Sequence, residues 1–257
     1  MSEPIRIEAI DRALALLSAL AEAGPAGASL ARLSELTGVN KSTAHRALST
    51  FRVREYATQL PNGDYRLGPG AVGLADRFLS RDNLVAVLHP ALVQLSRQAE
   101  ELVHLGSWSD DQVVYLDKVE PATRAIRVWS AVGQRVPIAT TALGRALLAA
   151  RGTPDSQLDI YLHGVPQDRD LSVMHLREQI SMARERGYST ENEENEPGVA
   201  CVGMALMRGD DAVAALSVTS LAARMTPDRQ AELAAMIREE LPALLPQGIT
   251  LFTGLAK

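Results

Sequence analysis

Between residues 41 and 49, Ser42, His45, Arg46 and Ser49 recur at i, i+3, i+4 and i+7, the spacing of one helix face, with Lys41 and Thr43 beside them. Hydroxyls, an imidazole and cations on one face suit a DNA duplex. A guanidinium can grip guanine through two donors, hydroxyls can bond bases or phosphates, and lysine supplies charge. Residues 39 to 56 hold four Lys/Arg and His45 against a single acid, Glu55, in a chain whose formal net charge is -5. The charge is divided along the chain: 9 basic against 8 acidic residues through Phe78, then 17 against 23. A locally basic front on an acidic body is the footprint of a phosphate-binding front end.

Other residues suggest smaller ligands. Thr140 and Thr141 stand just before a helical run, where one can cap the helix while the free N–H groups of the first turn and the helix dipole face an anion. Ser217 and Thr219 are two apart in a strand-like run and so project to one face. The acidic run Glu191-Asn192-Glu193-Glu194-Asn195-Glu196 offers oxygen ligands but lacks the spaced acids, central glycine and terminal glutamate of a calcium loop. It is expected to be a solvated connection without metal. No serine-nucleophile elbow, P-loop lysine motif or HExxH occurs, and no dinucleotide fingerprint is read in a strand-to-helix setting. The histidines are scattered, and His104, between Val103 and Leu105, reads as structural. The expectation is a protein that is not an enzyme and uses no cofactor.

The elements that must position these groups follow from periodicity. Ile10, Ala13, Leu14, Leu17, Leu20 and Ala21 outline an amphipathic first helix ending at Gly24-Pro25-Ala26-Gly27. Ser29 caps a second helix, Leu30 to Thr37, with Leu30, Leu33 and Leu36 inward, which stops at Gly38. The third helix buries Ala44, Ala47, Leu48 and Phe51. Residues 56–60 and 65–67 then read as two strands around an Asn62-Gly63 turn. Three helices and a hairpin make a winged helix, with Arg66 on the returning strand placed to meet the DNA backbone or minor groove.

Beyond Gly68-Pro69-Gly70 the spacing predicts a linker helix over 71–80 and a helix from Leu84 to Leu102 bent or restarted near Pro90. Strands are expected at Val103 to Trp108, Val113 to Val119, Ile126 to Ala131, Cys201 to Met207 and Ala212 to Ser220. Helices are expected at Leu143 to Ala150, Asp155 to His163, Leu171 to Arg186 and Pro227 to Leu245, the last capped by Thr226. That alternation is an α+β domain around a mostly antiparallel sheet. Cys201, the only cysteine, leaves no intrachain disulfide. With no signal sequence and no long apolar run, the chain is expected to be cytoplasmic and to have no membrane partner.

The segments "AIDRALALLSAL", "SLARLSELTGVNKSTAHRALSTF" and "NGDYRLGPGAVGLA" resemble the N-terminal domain of IclR-type bacterial transcriptional regulators. The segments "VPIATTALGRALLA" and "GYSTENEENEPGVACVGMAL" resemble two signatures of that family's C-terminal effector-binding domain. The resemblance implies two domains: a mainly-α winged helix-turn-helix over 1–70 and an α+β, GAF-like regulatory domain over 81–257, joined by the 71–80 linker helix. It implies double-stranded promoter DNA and a small organic effector, such as a carboxylic acid, as partners, and a homodimer or homotetramer as the working form. Carried over by position, the effector pocket would be lined by Val128, Val136, Thr141, Ala142, Leu143, Glu191, Cys201, Ser217 and Thr219. Glu191 stands where the family often has aspartate, which would push its carboxylate inward. Glu55 stands where the family usually has glycine, just before the first wing strand. The expectation there is that the helix runs on or the wing leaves at another angle. A rival reading is a small-molecule-binding or catalytic protein whose winged helix binds protein instead of DNA.

Overall fold

Leu16, Ala19 and Leu20 of helix α1 (Glu8–Glu22), Leu33 of α2 (Leu30–Thr37) and Ala44 and Leu48 of α3 (Lys41–Val53) bury their side chains in one apolar core with Val39, Ala57 and Tyr65. The computed structural model describes residues 6–75, 84–122, 128–166, 169 and 171–254. The chain divides into two units, Met1–Asp82 and Asn83–Lys257. In the first unit Ile10 and Leu14 are 54% and 58% exposed and Leu36 is 50% exposed, contrary to the inward faces read from spacing. Three short helices leave only a narrow stripe of each covered.

The helix boundaries follow local chemistry. The Ser29 side chain accepts the Arg32 N–H at 3.2 Å, and Gly38 closes α2 in a left-handed conformation. The Asn40 side chain accepts the Thr43 N–H at 2.9 Å and starts α3. Strands β1 (Ala57–Gln59) and β2 (Tyr65–Leu67) then pair antiparallel around Gly63, whose φ is 89°.

Glu55 corrects the expectation for the α3-to-wing junction. The helix does not run on; Glu55 itself takes the left-handed conformation, φ 63°. Its carbonyl accepts the Gly70 N–H at 2.8 Å, and the Tyr56 carbonyl accepts the Gly68 N–H at 2.9 Å. A Cβ at Gly68 would stand 2.2 Å from the Glu55 carbonyl oxygen, so glycine is required at 68 for this closure. Residues 68–73 carry the GxGxxG spacing without the dinucleotide-binding setting. They follow an antiparallel wing strand, and Gly68 and Gly70 pack on the 54–57 backbone, so they form no phosphate cradle. A helical run covers 70–75; the rest of the expected 71–80 linker helix lies outside the described residues.

The second unit is a seven-stranded antiparallel sheet. Its strands are β3 (Leu102–Ser109), β4 (Gln112–Val119), β5 (Arg135–Pro137), β6 (Ser189–Asn192), β7 (Val199–Arg208), β8 (Asp211–Leu221) and β9 (Thr250–Leu251). Their order is β5-β4-β3-β8-β7-β6, with β9 also on β7. Side chains alternate between two cores. Val103, Leu105, Val202, Met204, Leu216 and Val218 pack with α4 (Leu84–Ala99) and α7 (Pro227–Glu240). Val113, Tyr115, Ala205 and Ala215 pack with α5 (Ala142–Ala150) and α6 (Val173–Arg186).

Several boundaries differ from the sequence reading. The first helix of this unit ends at Ala99, because Glu100 turns left-handed at φ 55° before β3. Residues 128–131 form no strand, residues 126 and 127 lie outside the described residues, and the edge strand is β5. Asp155–Leu162 is a 3-10 run, not an α-helix. The last helix stops at Glu240, since Pro242 has no N–H to continue it. β6 and β9 are too short for a periodic signal. Among the described residues no helix is long and apolar enough to cross a membrane.

Candidate functional site

On α3, Lys41, Ser42, His45 and Arg46 are exposed and Thr43 and Ser49 half-buried, so the six residues share the outward face the spacing predicts. Local bonds occupy part of its hydrogen-bonding capacity. Ser42 Oγ donates to Asn40 Oδ1 at 2.8 Å and Ser49 Oγ donates to the His45 carbonyl at 2.8 Å. Lys41 and Arg46 make no ion pair among the described residues, whereas Arg12 and Arg32 are paired with Glu8 and Glu35. The cations on the α3 face are therefore available to a ligand. Arg66 is exposed on β2 opposite Thr58. Sequence reasoning missed Arg52, which donates to Gln59 Oε1 at 3.0 Å while Gln59 Nε2 donates to the Gly63 carbonyl at 3.2 Å. These bonds tie the end of α3 to the wing; seven residues across a turn give no periodic signal.

In the second unit, Val128, Thr141, Ala142, Leu143, Glu191, Cys201, Ser217 and Thr219 line one small cavity, together with His104, Tyr115, Asn195 and Val199. Val136 is not among the lining residues. It pairs with Val113 across β4 and β5 and joins the apolar core beneath α5.

Ladder register explains the convergence. Glu191, Cys201 and Thr219 are direct neighbours across β6, β7 and β8, and Gly203, Ser217 and His104 are neighbours one pleat away across β7, β8 and β3. The face opposite Val103, Val202 and Val218 is thereby polar at this end of the sheet. Gly203 lets the start of α5 approach: a Cβ there would lie 2.6 Å from the Ala142 carbonyl oxygen. Thr141 is the N-cap of α5, its hydroxyl accepting the Gly144 N–H at 3.0 Å, which leaves the Ala142 and Leu143 N–H groups of the first turn without a side-chain cap. Thr140 is not a lining residue; its hydroxyl lies 3.2 Å from the Pro137 carbonyl and 3.3 Å from Oδ1 of the lining residue Asn195.

A polar chain runs through the cavity wall. Cys201 Sγ meets Thr219 Oγ1 at 3.2 Å, Thr219 Oγ1 meets His104 Nδ1 at 3.3 Å, and His104 Nε2 meets Ser130 Oγ at 2.9 Å. The His104 ring stacks on Tyr115 with centroids 4.7 Å apart. Burial, with a smaller contribution from Lys118, lowers the His104 pKa to about 3, so the imidazole is neutral. Burial raises the Tyr115 hydroxyl and the Cys201 thiol, and both stay protonated.

The acidic run is built into this site and is not the solvated connection its composition suggests. Glu191 is 2% exposed, and its Oε1 accepts the Glu194 and Asn195 N–H groups at 2.9 and 3.1 Å. Burial raises its pKa to about 7 against those bonds. Glu194 receives Arg145 through two bonds of 2.8 and 2.9 Å and His175 Nε2 at 2.8 Å. Burial opposes its charge, but the hydrogen bonds and charge of Arg145 hold its carboxyl below the ordinary range. The Glu196 carboxylate accepts the Trp129 N–H at 3.2 Å. Among the described residues no group of three or more His, Cys, Asp and Glu side chains is arranged to hold a metal.

A three-helix unit with a basic third helix and a two-stranded wing, carried with a separate α+β unit that encloses a polar cavity, defines a winged-helix, DNA-binding transcriptional regulator. The IclR helix-turn-helix model matches residues 9–61, and the model of the bacterial transcriptional regulator IclR C-terminal domain matches residues 76–242. The acetate operon repressor of Salmonella typhimurium is 30% identical over 239 residues, covering 90% of this chain and 86% of its own. The crystal structure of an IclR transcriptional regulator from Alicyclobacillus acidocaldarius superposes with a TM-score of 0.78 at 21% identity, over 93% of this chain and 98% of that one. An IclR homologue from Microbacterium hydrocarbonoxydans, complexed with 4-hydroxybenzoate, gives 0.72 at 20% identity, over 90% and 99%. The chain belongs to the IclR family of bacterial transcriptional regulators. It is a regulatory protein and not an enzyme.

Proposed function

We propose that this regulator binds a pseudo-palindromic promoter site as a homodimer or homotetramer in the cytoplasm and changes its DNA binding when a small carboxylate-bearing metabolite occupies the cavity of the second unit. The functional parts are a winged helix over 1–70, a linker helix over 71–80 and a GAF-like effector domain over 81–257. Lys41, Ser42, Thr43, His45, Arg46 and Ser49 read the major groove and Arg66 follows the backbone or minor groove. Val128, Thr141, Ala142, Leu143, Glu191, Cys201, Ser217 and Thr219 hold the effector.

The observation that carries this reading is the meeting of the α5 start, where the first two N–H groups have no side-chain cap, with polar side chains from five strands in one cavity. N–H groups at a helix start bind a carboxylate without a charged side chain, and hydroxyl and imidazole groups around it select its substituents. The relative bound to 4-hydroxybenzoate, a carboxylate, supports the same ligand class. The cavity has about 20 Å³ of open space, room for one water, so an effector must shift the walls to enter. That coupling of occupancy to wall position is what a switch requires.

The test is selection of random duplexes by the full-length protein at about 0.15 M salt, where unspecific phosphate binding is weak. Enrichment of one palindromic site, lost with Arg46→Ala and retained with Arg177→Ala on α6, supports the assignment. No enriched motif, or equal losses from both variants, refutes it.

A further inference from the structure

We propose that Glu191 makes effector binding proton-coupled: a carboxylate enters the cavity only together with one proton, which Glu191 carries. This rests on the reading that the effector is a carboxylate and adds how its charge is accommodated.

Among the described residues no lysine or arginine lines the cavity, and Lys118 of β4, whose charge reaches His104, is held by the Ser130 carbonyl at 3.1 Å and by Glu120 at 2.9 Å. The guanidinium of Arg145 on α5 is consumed: its Nε donates to the Ala139 carbonyl and its Nη atoms to the Thr190 carbonyl and both oxygens of Glu194, at 2.8 to 2.9 Å. His104 of β3 is neutral, and Tyr115 of β4 and Cys201 of β7 are protonated. The remaining charged groups facing Glu191, Glu194 and Glu196 of its own loop, are acids, Glu194 being neutralised by Arg145 and held also by His175 of α6. Among the described residues an incoming carboxylate therefore meets one uncompensated ionisable group, a buried acid of its own sign.

Two carboxylates sharing a buried site do not both ionise. Here the geometry makes the shared proton useful. The Glu191 carboxyl lines the cavity beside Cys201 and is fixed through Oε1 by two backbone N–H groups, which leaves its other oxygen to carry the proton. Protonated there, it donates an O–H···O⁻ bond to the ligand, a short and strong type, while the N–H groups at the α5 start take the ligand's other oxygen. Ionised, it repels the ligand. The proton comes from solvent and returns to it on release, so nothing else is consumed. The burial that raises the Glu191 carboxyl toward neutrality keeps this exchange within the physiological range.

The experiment is isothermal calorimetry of the full-length protein with acetate, benzoate and 4-hydroxybenzoate from pH 6 to 9, each in two buffers of different ionisation enthalpy. The expected result is uptake of close to one proton per ligand at pH 8, and a Kd that rises about tenfold per pH unit above neutrality and is flat below it. Glu191→Gln, neutral at every pH and still an acceptor for the loop N–H groups, should bind with no pH dependence and more tightly than the parent at pH 8 to 9. Binding without proton uptake overturns the proposal but leaves the carboxylate reading intact. Glu191→Gln with an unchanged pH profile also overturns it, since the proton then rides on the ligand. Failure of every carboxylate to bind either protein at any pH overturns both.

Discussion

Removing the Glu194 carboxylate tests whether the acidic loop is clamped from inside the fold. Arg145 is 1% exposed and all three of its side-chain nitrogens donate, two of the four bonds going to Glu194, whose side chain is 20% exposed. In Glu194→Ala the guanidinium keeps only the Ala139 and Thr190 carbonyls, and a buried cation loses its counter-charge. Breaking a buried pair from one side costs about 3–5 kcal/mol. The partial exposure of Glu194 admits water, so the lower end, about 3 kcal/mol, is expected. Arg145→Met orphans two carbonyls and should cost a similar amount, whereas Arg145→Met with Glu194→Gln removes both charges and should recover part of the loss. Urea unfolding followed by tryptophan fluorescence reports this unit selectively, because the only tryptophans, Trp108 and Trp129, lie in it. The midpoint of Glu194→Ala should fall by roughly 1–2 M urea. A double-mutant coupling energy of about 2 kcal/mol is expected; a coupling within the ~0.5 kcal/mol typical of exposed pairs would refute the buried clamp.

Glu191 and Glu194 predict opposite pH slopes. The Glu191 carboxyl is raised from 4.5 to about 7, so the folded state holds the extra proton and stability is lost as pH climbs between those values, by about 3 kcal/mol in total. Glu191→Gln should abolish that loss, seen as a growing stability gain over the parent from pH 5 to pH 8 in urea titrations. Identical profiles would show that the carboxyl is not desolvated. Glu194, whose carboxyl is depressed, contributes stability at neutral pH that is lost on acidification, so Glu194→Gln should narrow its deficit as pH falls toward 3. At the wing, Glu55→Gly relieves a left-handed glutamate at a cost to the unfolded chain, a net gain of about 0.5–1 kcal/mol. Hydrogen exchange at the Gly68 and Gly70 amides should slow by roughly 2–5-fold. DNA affinity should rise with the loss of a carboxylate from a basic surface, and faster exchange would disprove the strain.

What was legible in the sequence is what depends on local periodicity. α3 and its outward face follow from residues three and four apart, and the wing from an Asn-Gly turn between two short strands. The sheet's alternation could be read on β7 and β8, where long runs make Ser217 and Thr219 point one way and Val218 the other. The short edge strands β5, β6 and β9 gave no such run. The inward face of α1 was misread because apolar Ile10 and Leu14 continue the stripe that Leu16 and Leu20 actually bury. His104 and Tyr115 were missed in the cavity because their roles come from ladder register between strands about a hundred residues apart, which no spacing encodes. Val136 was assigned to the cavity by likeness, yet its pairing with Val113 directs it into the core.

The run at 191–196 illustrates why composition misleads where backbone geometry decides. Six consecutive polar residues with four acids read as solvent-exposed charge, and in isolation their repulsion would favour an extended, hydrated loop. Here each acid has a different partner. Glu191 accepts the loop's own N–H groups, Glu193 turns left-handed at φ 62° and accepts the Gly198 N–H at 2.8 Å, Glu194 takes Arg145 and His175, and Glu196 takes the Trp129 N–H. Three of these bonds close the loop on itself, so its shape is set before any ligand arrives. The others tie it to α5, α6 and the 128–130 segment, which carries the cavity residue Val128. A cavity with room for one water, walled by a loop so connected, cannot admit even a small acid without disturbing at least one of these ties. Under the proposed function, effector binding and loop position are coupled, through Glu191 and Asn195 in the lining and through Arg145, His175 and Trp129 behind it.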